Sequence, residues 1–537
     1  MTNSTSKHVT PNSSPASRRA FLGRLVAIGG MAGTLGTSKI AAAAGSSTTN
    51  DVILRPRLDL GLYRVRMEMD VKGNVNLTKD PLLALTAKPS TKQQLPITAK
   101  VALDYEERYL RPKNADMESP IIAAERHYHS AQGVSRLSRM DQTTELRDNL
   151  GLVVARRDTL PEAIYASDDY LNHDELDLLR TPIASVALDR LLPTQTLSIG
   201  EKVALDSNDL ASVFNLSGVV KSDVEISLVS NDASNAKLQF QGKMDGSVSG
   251  VPTQLRVLGK LTFQHSSRTV TWAAVAIHET REIGMAEPGF DVTATIRMIR
   301  KPLEKPQVLP SSAVAIDFDS PPPSDRMLMT VDCEKIGVSA LLDRRWRIMQ
   351  DGAGQAILRM IENEQSIAQC NLRALPRLPE GNQLTLEAFE ADVQRTLDKQ
   401  LDQLVRSEEQ LSDSGLRVLH ITATGEVEGI PIQWIMMHFS DDSGRRVQAT
   451  LTMEGESVND LNGSDVQLAA SLQWAGPAVT AGEENDLDPA EKSGLDGTET
   501  ASSAGQQLRL DAADLVDPSK NRPEHVISAS DLPTTKR

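Results

Sequence analysis

The sequence predicts a β-rich α+β protein with two folded units. These are an antiparallel β-meander or half-barrel over residues 51–300 and a smaller α+β sandwich over residues 326–475. Apolar and polar residues alternate along many runs of the first unit, as in strands with one solvent-exposed face. One run of the second unit repeats its apolar residues every three or four positions, as a helix does. Between the units, residues 301–325 are rich in proline and predict an extended linker.

The first 44 residues are predicted to be a signal peptide. They contain five lysines and arginines and no acidic residue. Residues 17–23 carry the pair Arg18 and Arg19 and resemble a twin-arginine export signal. The following apolar run is glycine-rich and shorter than the roughly 20 residues of a membrane span, and alanines 41–44 offer a cleavage site. We therefore expect export by the twin-arginine route to the periplasm or the extracellular space, without a stable membrane span.

The first unit is expected to be a run of consecutive antiparallel strands. The clearest predicted strand alternates the apolar residues Tyr63, Val65, Met67, Met69 and Val71 with charged ones. Further alternating runs cover residues 97–103, 224–229, 238–244, 255–263, 270–276 and 292–298. Few helices interrupt this pattern. Residues 172–175 form a capping box ahead of one short helix, and a second short helix is expected over residues 209–214.

The second unit is expected to pack one long helix on an antiparallel sheet. Thr385 is the predicted N-cap of a helix of about twenty residues. Its apolar stripe consists of Leu386, Phe389, Val393, Leu397, Leu401 and Leu404. Strands are expected over residues 416–424, 431–440, 445–454 and 467–473.

Two resemblances follow from these elements. Trp346 in an early strand, then the long helix, then a meander carrying residues 432–434, are together similar to the PsbP-like fold. That resemblance implies an accessory role in an envelope complex. The first unit resembles exported proteins of planctomycete-type bacteria in five short segments, and this implies an envelope location without implying an activity. The segments are residues 175–179, 189–193, 199–201, 279–281 and 288–289.

Charge and composition limit the classes of partner. Residues 476–537 are rich in small and acidic residues and predict a disordered acidic tail. Removal of the signal peptide takes the net charge from −15 to −20. A chain this acidic repels polyanions, so nucleic acid is not expected as a partner.

Cys333 and Cys370 are the two cysteines of the chain. In an exported protein, which meets an oxidising compartment, they are candidates for one disulfide. Such a bond would contribute about 2–4 kcal/mol to stability. The alternative is two buried free thiols. The sequence leaves both alternatives open.

Metal binding has one candidate pair. His127 and His129 lie two residues apart, so a strand would place both imidazoles on one face together with Glu125. A stable site needs further ligands, and surface histidines beside a turn are commoner, so we predict no metal and keep the pair as a candidate. The zinc-peptidase spacing fails at residues 278–282, and the acidic cluster at 168–177 lacks a calcium-loop pattern.

The sequence contains no recognisable set of catalytic residues. His420 and His438 lie in neighbouring predicted strands, with Ser440 and Cys370 as available nucleophiles, but no spacing compels a catalytic arrangement. The folded region contains no nucleophile elbow, phosphate-binding loop or dinucleotide motif, so no cofactor is expected. We predict a non-catalytic exported protein that binds an apolar, lipid-like ligand or an envelope protein. The alternatives are a periplasmic hydrolase and a structural envelope component.

Overall fold

A computed structural model describes residues 51–56, 61–77, 93–112, 121–158, 160, 162–284, 288–352 and 354–475. The signal residues Arg18 and Arg19 and the tail at 476–537 lie outside these described residues. The described chain is dominated by antiparallel strands, which confirms the β-rich fold class.

The strands of the first unit, β1 to β15 in chain order, are Asp51–Val52, Leu62–Leu77, Gln93–Leu110, Ala123–Leu137, Met140–Glu145, Val153–Arg156, Ala163–Ala166, Leu197–Ser198, Lys202–Ala204, Gly218–Ser222, Glu225–Asn231, Asn235–Val248, Val251–Gln264, Thr269–Arg281 and Gly289–Pro302. Two α-helices interrupt them, α1 at His173–Leu179 and α2 at Ser207–Val213, with a 3₁₀ helix at Ser185–Leu191. Both short helices were predicted from the sequence, and the Asn172–Glu175 capping box is present at the start of α1.

Thirteen of these strands form one open antiparallel sheet. Its order is β7-β6-β4-β3-β2-β15-β14-β13-β12-β11-β9, with β5 beside β4 and β10 beside β12. Most neighbours in the sheet are also neighbours in sequence, as a meander requires. The pairing of β2 with β15 joins the beginning of the unit to its end.

The inner face of this sheet is covered by the unit's own chain. The alternating residues of β2, from Tyr63 to Val71, point into one apolar core. Buried side chains of α1, the 3₁₀ helix and α2 belong to the same core, among them Leu176, Leu188 and Leu210. The sequence pattern suggested too few helices to seal this face. The whole of segment 171–216 covers this face. Most of the segment is not regular helix, and its apolar residues follow no period that would identify it in the sequence.

The proline-rich segment is held against the outer face of the sheet. Glu106 on β3 accepts hydrogen bonds from the backbone N–H groups of residues 307–309, at 3.0–3.3 Å. Glu125 on β4 accepts one from the Val314 N–H at 2.7 Å. Both carboxylates are fully buried although they point away from the core, because the segment covers them.

The same segment is also fixed further along its length. Arg156 on β6 donates hydrogen bonds to the carbonyls of Asp317 and Ser320, at 3.1 and 2.9 Å. Its guanidinium lies over the ring of Phe318, 5.7 Å from the ring centroid. Residues 303–325, which we call the strap, therefore pack on the first unit as well as connecting it to the second.

The second unit contains strands β16 to β25, which are Leu328–Cys333, Val338–Asp343, Trp346–Gly352, Gln355–Glu362, Gln365–Leu375, Leu401–Leu411, Arg417–Val427, Ile430–Ser440, Arg446–Glu454 and Gln473–Trp474. Helix α3 is Leu386–Leu397 and helix α4 is Ser464–Ser471, with 3₁₀ helices at Asp398–Gln400 and Gly455–Leu461. Seven strands form an antiparallel sheet in the order β18-β19-β20-β24-β23-β22-β21, and β16-β17-β25 form a smaller one. Helix α3 packs on one face of the large sheet. The small sheet and α4 pack on the other face.

Two elements of this unit differ from the sequence prediction. The long helix ends at Leu397, where Asp398 adopts a φ of 44°, and the chain continues as the edge strand β21. A β-bulge follows Leu401 and another follows Leu404. Because of the bulge between them, the two leucines pack on the same core although they are three residues apart, which is the spacing of an apolar stripe on a helix. The predicted last strand at 467–473 is mostly helix α4, and only residues 473–474 pair as a strand.

Candidate functional site

The candidate metal residues lie on the outer face of β4 beside the strap. The rings of His127 and His129 have centroids 5.4 Å apart. His129 Nε2 lies 3.3 Å from Oε1 of Glu106, whereas Glu125 is bonded to the strap. Burial and the neighbouring His129 lower the pKa of His127. In the described ranges no group of three or more His, Cys, Asp or Glu side chains is placed to hold a metal ion.

The segment 278–282 is a strand end, as the sequence predicted. His278 points outward and lies 3.0 Å from Oδ1 of Asp291 on β15. Glu279 points inward and pairs with Arg281 at 2.7 Å. The histidine and the glutamate therefore lie on opposite faces of β14 and cannot share one ligand.

The acidic cluster at 168–177 is engaged in local contacts. Glu175 closes the capping box with Asn172. The Arg147 guanidinium lies 2.6 Å from Glu175 and 3.3 Å from Asp169. These contacts give the carboxylates structural roles and leave no spaced set of oxygen ligands such as calcium requires.

The structure places His420 and His438 on opposite faces of the second unit's large sheet. His438 is buried against the ring of Phe389 on α3, with ring centroids 5.9 Å apart. His420 is buried on the other face, 3.5 Å from Glu408 and 3.7 Å from Asp465. The two imidazoles therefore do not form one site.

Both cysteines are buried free thiols that line one cavity of about 10 Å³, room for about one water molecule. Trp346 and Leu358 are among the other residues that line it. Burial raises the pKa of Cys333 to about 12 and raises that of Cys370 further. Both residues line this cavity, and a disulfide in the exported protein stays one of the two alternatives that the sequence left open.

The outer face of the large sheet carries an exposed apolar patch that the sequence did not predict. It consists of Trp272, Ala274 and Ala276 on β14, Leu258 on β13 and Ile299 on β15. Trp272 is 37% exposed, and the facing Ile299 is 53% exposed. We call these five residues the outer patch.

The patch results from a change of face within β14. The alternation suggested that Val270, Trp272, Ala274 and Ala276 share one buried face. A register shift between Thr262 and Phe263 on the neighbouring strand leaves Val270 inward and turns Trp272 outward. The inward residues are then Ala273, Val275 and Ile277. One feature of the sequence could have indicated the patch: β14 has apolar residues at its odd-numbered and at its even-numbered positions, and therefore on both faces of the strand.

Within the described residues, none of the helices combines the length and apolarity needed to cross a bilayer.

No protein-family model and no curated protein sequence matches this chain. Among solved structures, a protein from Bacteroides thetaiotaomicron aligns over 26% of this chain and 46% of its own length, with 11% identity and a TM-score of 0.19. A Pseudomonas aeruginosa protein of unknown function aligns over 26% of this chain and 92% of its own, with 11% identity and a TM-score of 0.18. This chain thus spans about half of the first protein, and neither similarity carries an argument about fold or function.

Proposed function

We propose that this chain is an exported, non-catalytic protein of the cell envelope and that it binds a protein partner through the outer patch. The observation that carries the proposal is the facing pair Trp272 and Ile299, two large apolar side chains exposed side by side on a regular sheet. Tryptophan is enriched among the residues that dominate binding energy at protein interfaces. Groups of exposed apolar side chains often mark interaction sites.

The chemistry of the expected partner follows from the surroundings of the patch. Lys260 and Arg297 flank Ala274 on the two neighbouring strands, and both are exposed. The partner face is therefore an apolar centre with acidic groups at its rim, which suits the usual arrangement of an apolar core and polar rim. Local positive charge on an acidic chain also orients the encounter.

A protein partner is favoured over an apolar ligand by the packing of the first unit. The crossing segment 171–216 fills the inner face of the sheet with the chain's own side chains. The outer patch lies across three paired strands, which suits contact with another protein surface. The half-barrel curvature of the first unit and the PsbP-like character of the second unit belong to this proposal, and the latter would agree with an accessory role in an envelope complex.

A photo-crosslinking experiment in the producing cell tests the proposal. A photoreactive phenylalanine analogue at position 272 is expected to give one discrete adduct, and one at the exposed Val220 is expected to give none. Arginine at position 299 should abolish the adduct formed from position 272. Equal adducts from both positions, or no adduct from position 272, would contradict the proposal.

Export is tested separately from binding. Replacing Arg18 and Arg19 by lysine is expected to leave the precursor unprocessed in the cytoplasm, because the twin-arginine route requires the arginine pair. Normal processing of the lysine variant would contradict the export route.

A further inference from the structure

Three arginine side chains converge where the two units meet. Arg180 follows the last residue of α1 in the first unit. Arg344 lies in the turn between β17 and β18, and Arg347 lies on β18. Arg344 Nη1 donates a hydrogen bond of 2.6 Å to the Ile164 carbonyl on β7, and Arg347 donates to the carbonyl of Arg344. These contacts hold Arg344 and Arg347 of the second unit beside β7 of the first, where the charge of Arg180 acts on both of them. We call this junction, with its three arginines, the cleft.

The backbone around the cleft is fixed. Thr330 N–H on β16 donates to the carbonyl of Leu171 at 3.1 Å, and Thr330 also forms a parallel bridge with Asn172. The first unit contributes the segment that leads into α1, and the second unit contributes its first strand. The three arginines therefore lie beside a direct backbone link between the units.

Positive charge exceeds negative charge in this cleft. Asp177 has its Oδ1 atom 4.0 Å from Arg180 Nη1. Asp177 also acts on Arg347. Asp343, which acts on Arg344 and Arg347, accepts hydrogen bonds from the backbone and side chain of Arg345. Glu162, which acts on Arg180, pairs with Arg157 at 3.2 Å. Across the described ranges, the buried Nε atoms of Arg180, Arg344 and Arg347 and the Nη2 atom of Arg344 have no hydrogen-bond partner.

The electrostatic environment agrees with this imbalance. Burial and the nearby Arg180 lower the pKa of Arg344 to about 9 and that of Arg347 to about 10. The groups stay protonated at neutral pH, yet each is destabilised by desolvation and by its neighbours. Buried charged donors without partners are costly, and a bound anion would satisfy them. The Arg180 side chain keeps 28% of its surface exposed, which leaves a route from solution.

We propose that this cleft binds a phosphate-type oxyanion, either free or as the phosphate group of a monoester, held by Arg180, Arg344 and Arg347. A guanidinium donates two parallel hydrogen bonds to such an oxyanion, and charge-assisted bonds of this kind are strong. Because Arg180 belongs to one unit and the other two arginines to the second, the anion links the units. This site does not depend on the outer patch or on its partner.

Calorimetric titration of the purified protein with inorganic phosphate tests the proposal, with sodium chloride adjusted to keep ionic strength constant. Saturable binding is expected, together with a higher melting temperature in phosphate. Arg180→Gln is expected to weaken phosphate binding roughly tenfold or more, the effect of losing one charge-assisted contact. Glycerol 3-phosphate is titrated in parallel, and tighter binding of the ester than of phosphate would assign the natural ligand to the monoesters.

A second readout separates ligand binding from a merely structural role. The melting temperature of Arg180→Gln in phosphate-free buffer is the reference for that variant, and phosphate is expected to raise it by less than it raises that of the wild type. Arg344→Lys keeps the positive charge, but lysine cannot donate two parallel hydrogen bonds to one oxyanion. This variant is therefore expected to bind phosphate more weakly. Arg136→Gln, which removes an exposed arginine paired with Asp141, is the matched control and should bind normally. Absence of saturable binding, or unchanged affinity in both cleft variants, would overturn the proposal.

Discussion

The carboxylate of Glu106 accepts a hydrogen bond of 3.1 Å from the backbone N–H of Val308, 202 residues later in the chain. The adjacent N–H groups of Gln307 and Leu309 bond to the same carboxylate. One buried side chain on the outer face of the sheet thus fixes the beginning of the strap.

Glu106→Gln is predicted to loosen the strap. Hydrogen bonds to a charged group contribute about 1.5–3 kcal/mol, so the variant should lose about that much stability and exchange the amide hydrogens of 307–309 faster. Glu68→Gln, an exposed position on the same face, is the control. Wild-type exchange rates in the Glu106 variant would show that the carboxylate does not hold the strap.

Acid is predicted to release the same contact. Burial alone would raise the pKa of Glu106, but the N–H groups of Val308, Gln307 and Leu309 lower it below its usual value. Because the folded pKa is below the unfolded value of about 4.3, this stability is present above that pH and is lost as the pH falls through the folded pKa. Amide exchange at 307–309, corrected for its intrinsic pH dependence, should accelerate only in that acidic range.

Two isoleucines of β15 are predicted to respond oppositely to truncation. Ile296 is 1% exposed in the core, and Ile299 is 53% exposed in the outer patch. Ile296→Ala should cost about 2–5 kcal/mol of unfolding free energy, as buried large-to-small changes do. Ile299→Ala should change it by less than about 0.5 kcal/mol. Urea unfolding measures both, and a large loss in the Ile299 variant would show that this side chain is buried.

The two thiols are predicted to be protected in the folded protein. Burial raises the pKa of Cys333 to about 12, so little thiolate forms at pH 8. An alkylating reagent should modify reduced protein only after unfolding, and mass spectrometry counts the added groups. Rapid modification of Cys333 or Cys370 under native conditions would contradict this burial. The same mass measurement on protein isolated from the exporting cell, before reduction, decides between the disulfide and the two free thiols.

His438 is predicted to make stability depend on pH. Burial, and then the charges of Arg446 and Arg417, lower the pKa of His438 to about 4. Because the unfolded imidazole titrates near 6.5, the unfolded state binds the proton more readily, and stability falls as the pH falls from about 6.5 to about 4. The slope contributed by this group reaches about 1.4 kcal/mol per pH unit.

His438→Gln should flatten that slope in urea titrations at several pH values, whatever its effect on absolute stability. The matched control is His278→Gln, which changes an exposed histidine in the first unit. An unchanged slope in the His438 variant would indicate that the imidazole is not buried in its neutral form.

Features with a local cause could be predicted from the sequence. The alternation of β2 and the capping box at Asn172 are set by residues close together in the chain, and both are present. The strands β22 to β24 were predicted to within a few residues for the same reason. A period of two or of three to four residues is a property of the sequence itself.

β-Bulges explain the two places where a prediction from the local apolar pattern was wrong. One bulge turns Trp272 to the outer face, and two others place Leu401 and Leu404 on one face of a strand. A bulge is fixed by the partner strand, so the sequence of one strand does not reveal it. The apolar residues on both faces of β14 indicate that one face is exposed or covered by another element, but the sequence of β14 alone does not show that Trp272 points outward.

The sequence by itself determined that the chain is β-rich, where its short helices interrupt the first unit, and which residues of β2 alternate toward a core. Only the tertiary structure decided what covers that core, where the strap lies, and that Arg180 approaches Arg344 and Arg347. The physical reason is the range of the contacts. Alternation and capping act between near neighbours, whereas a buried carboxylate or guanidinium is positioned by groups that only the folded chain brings together.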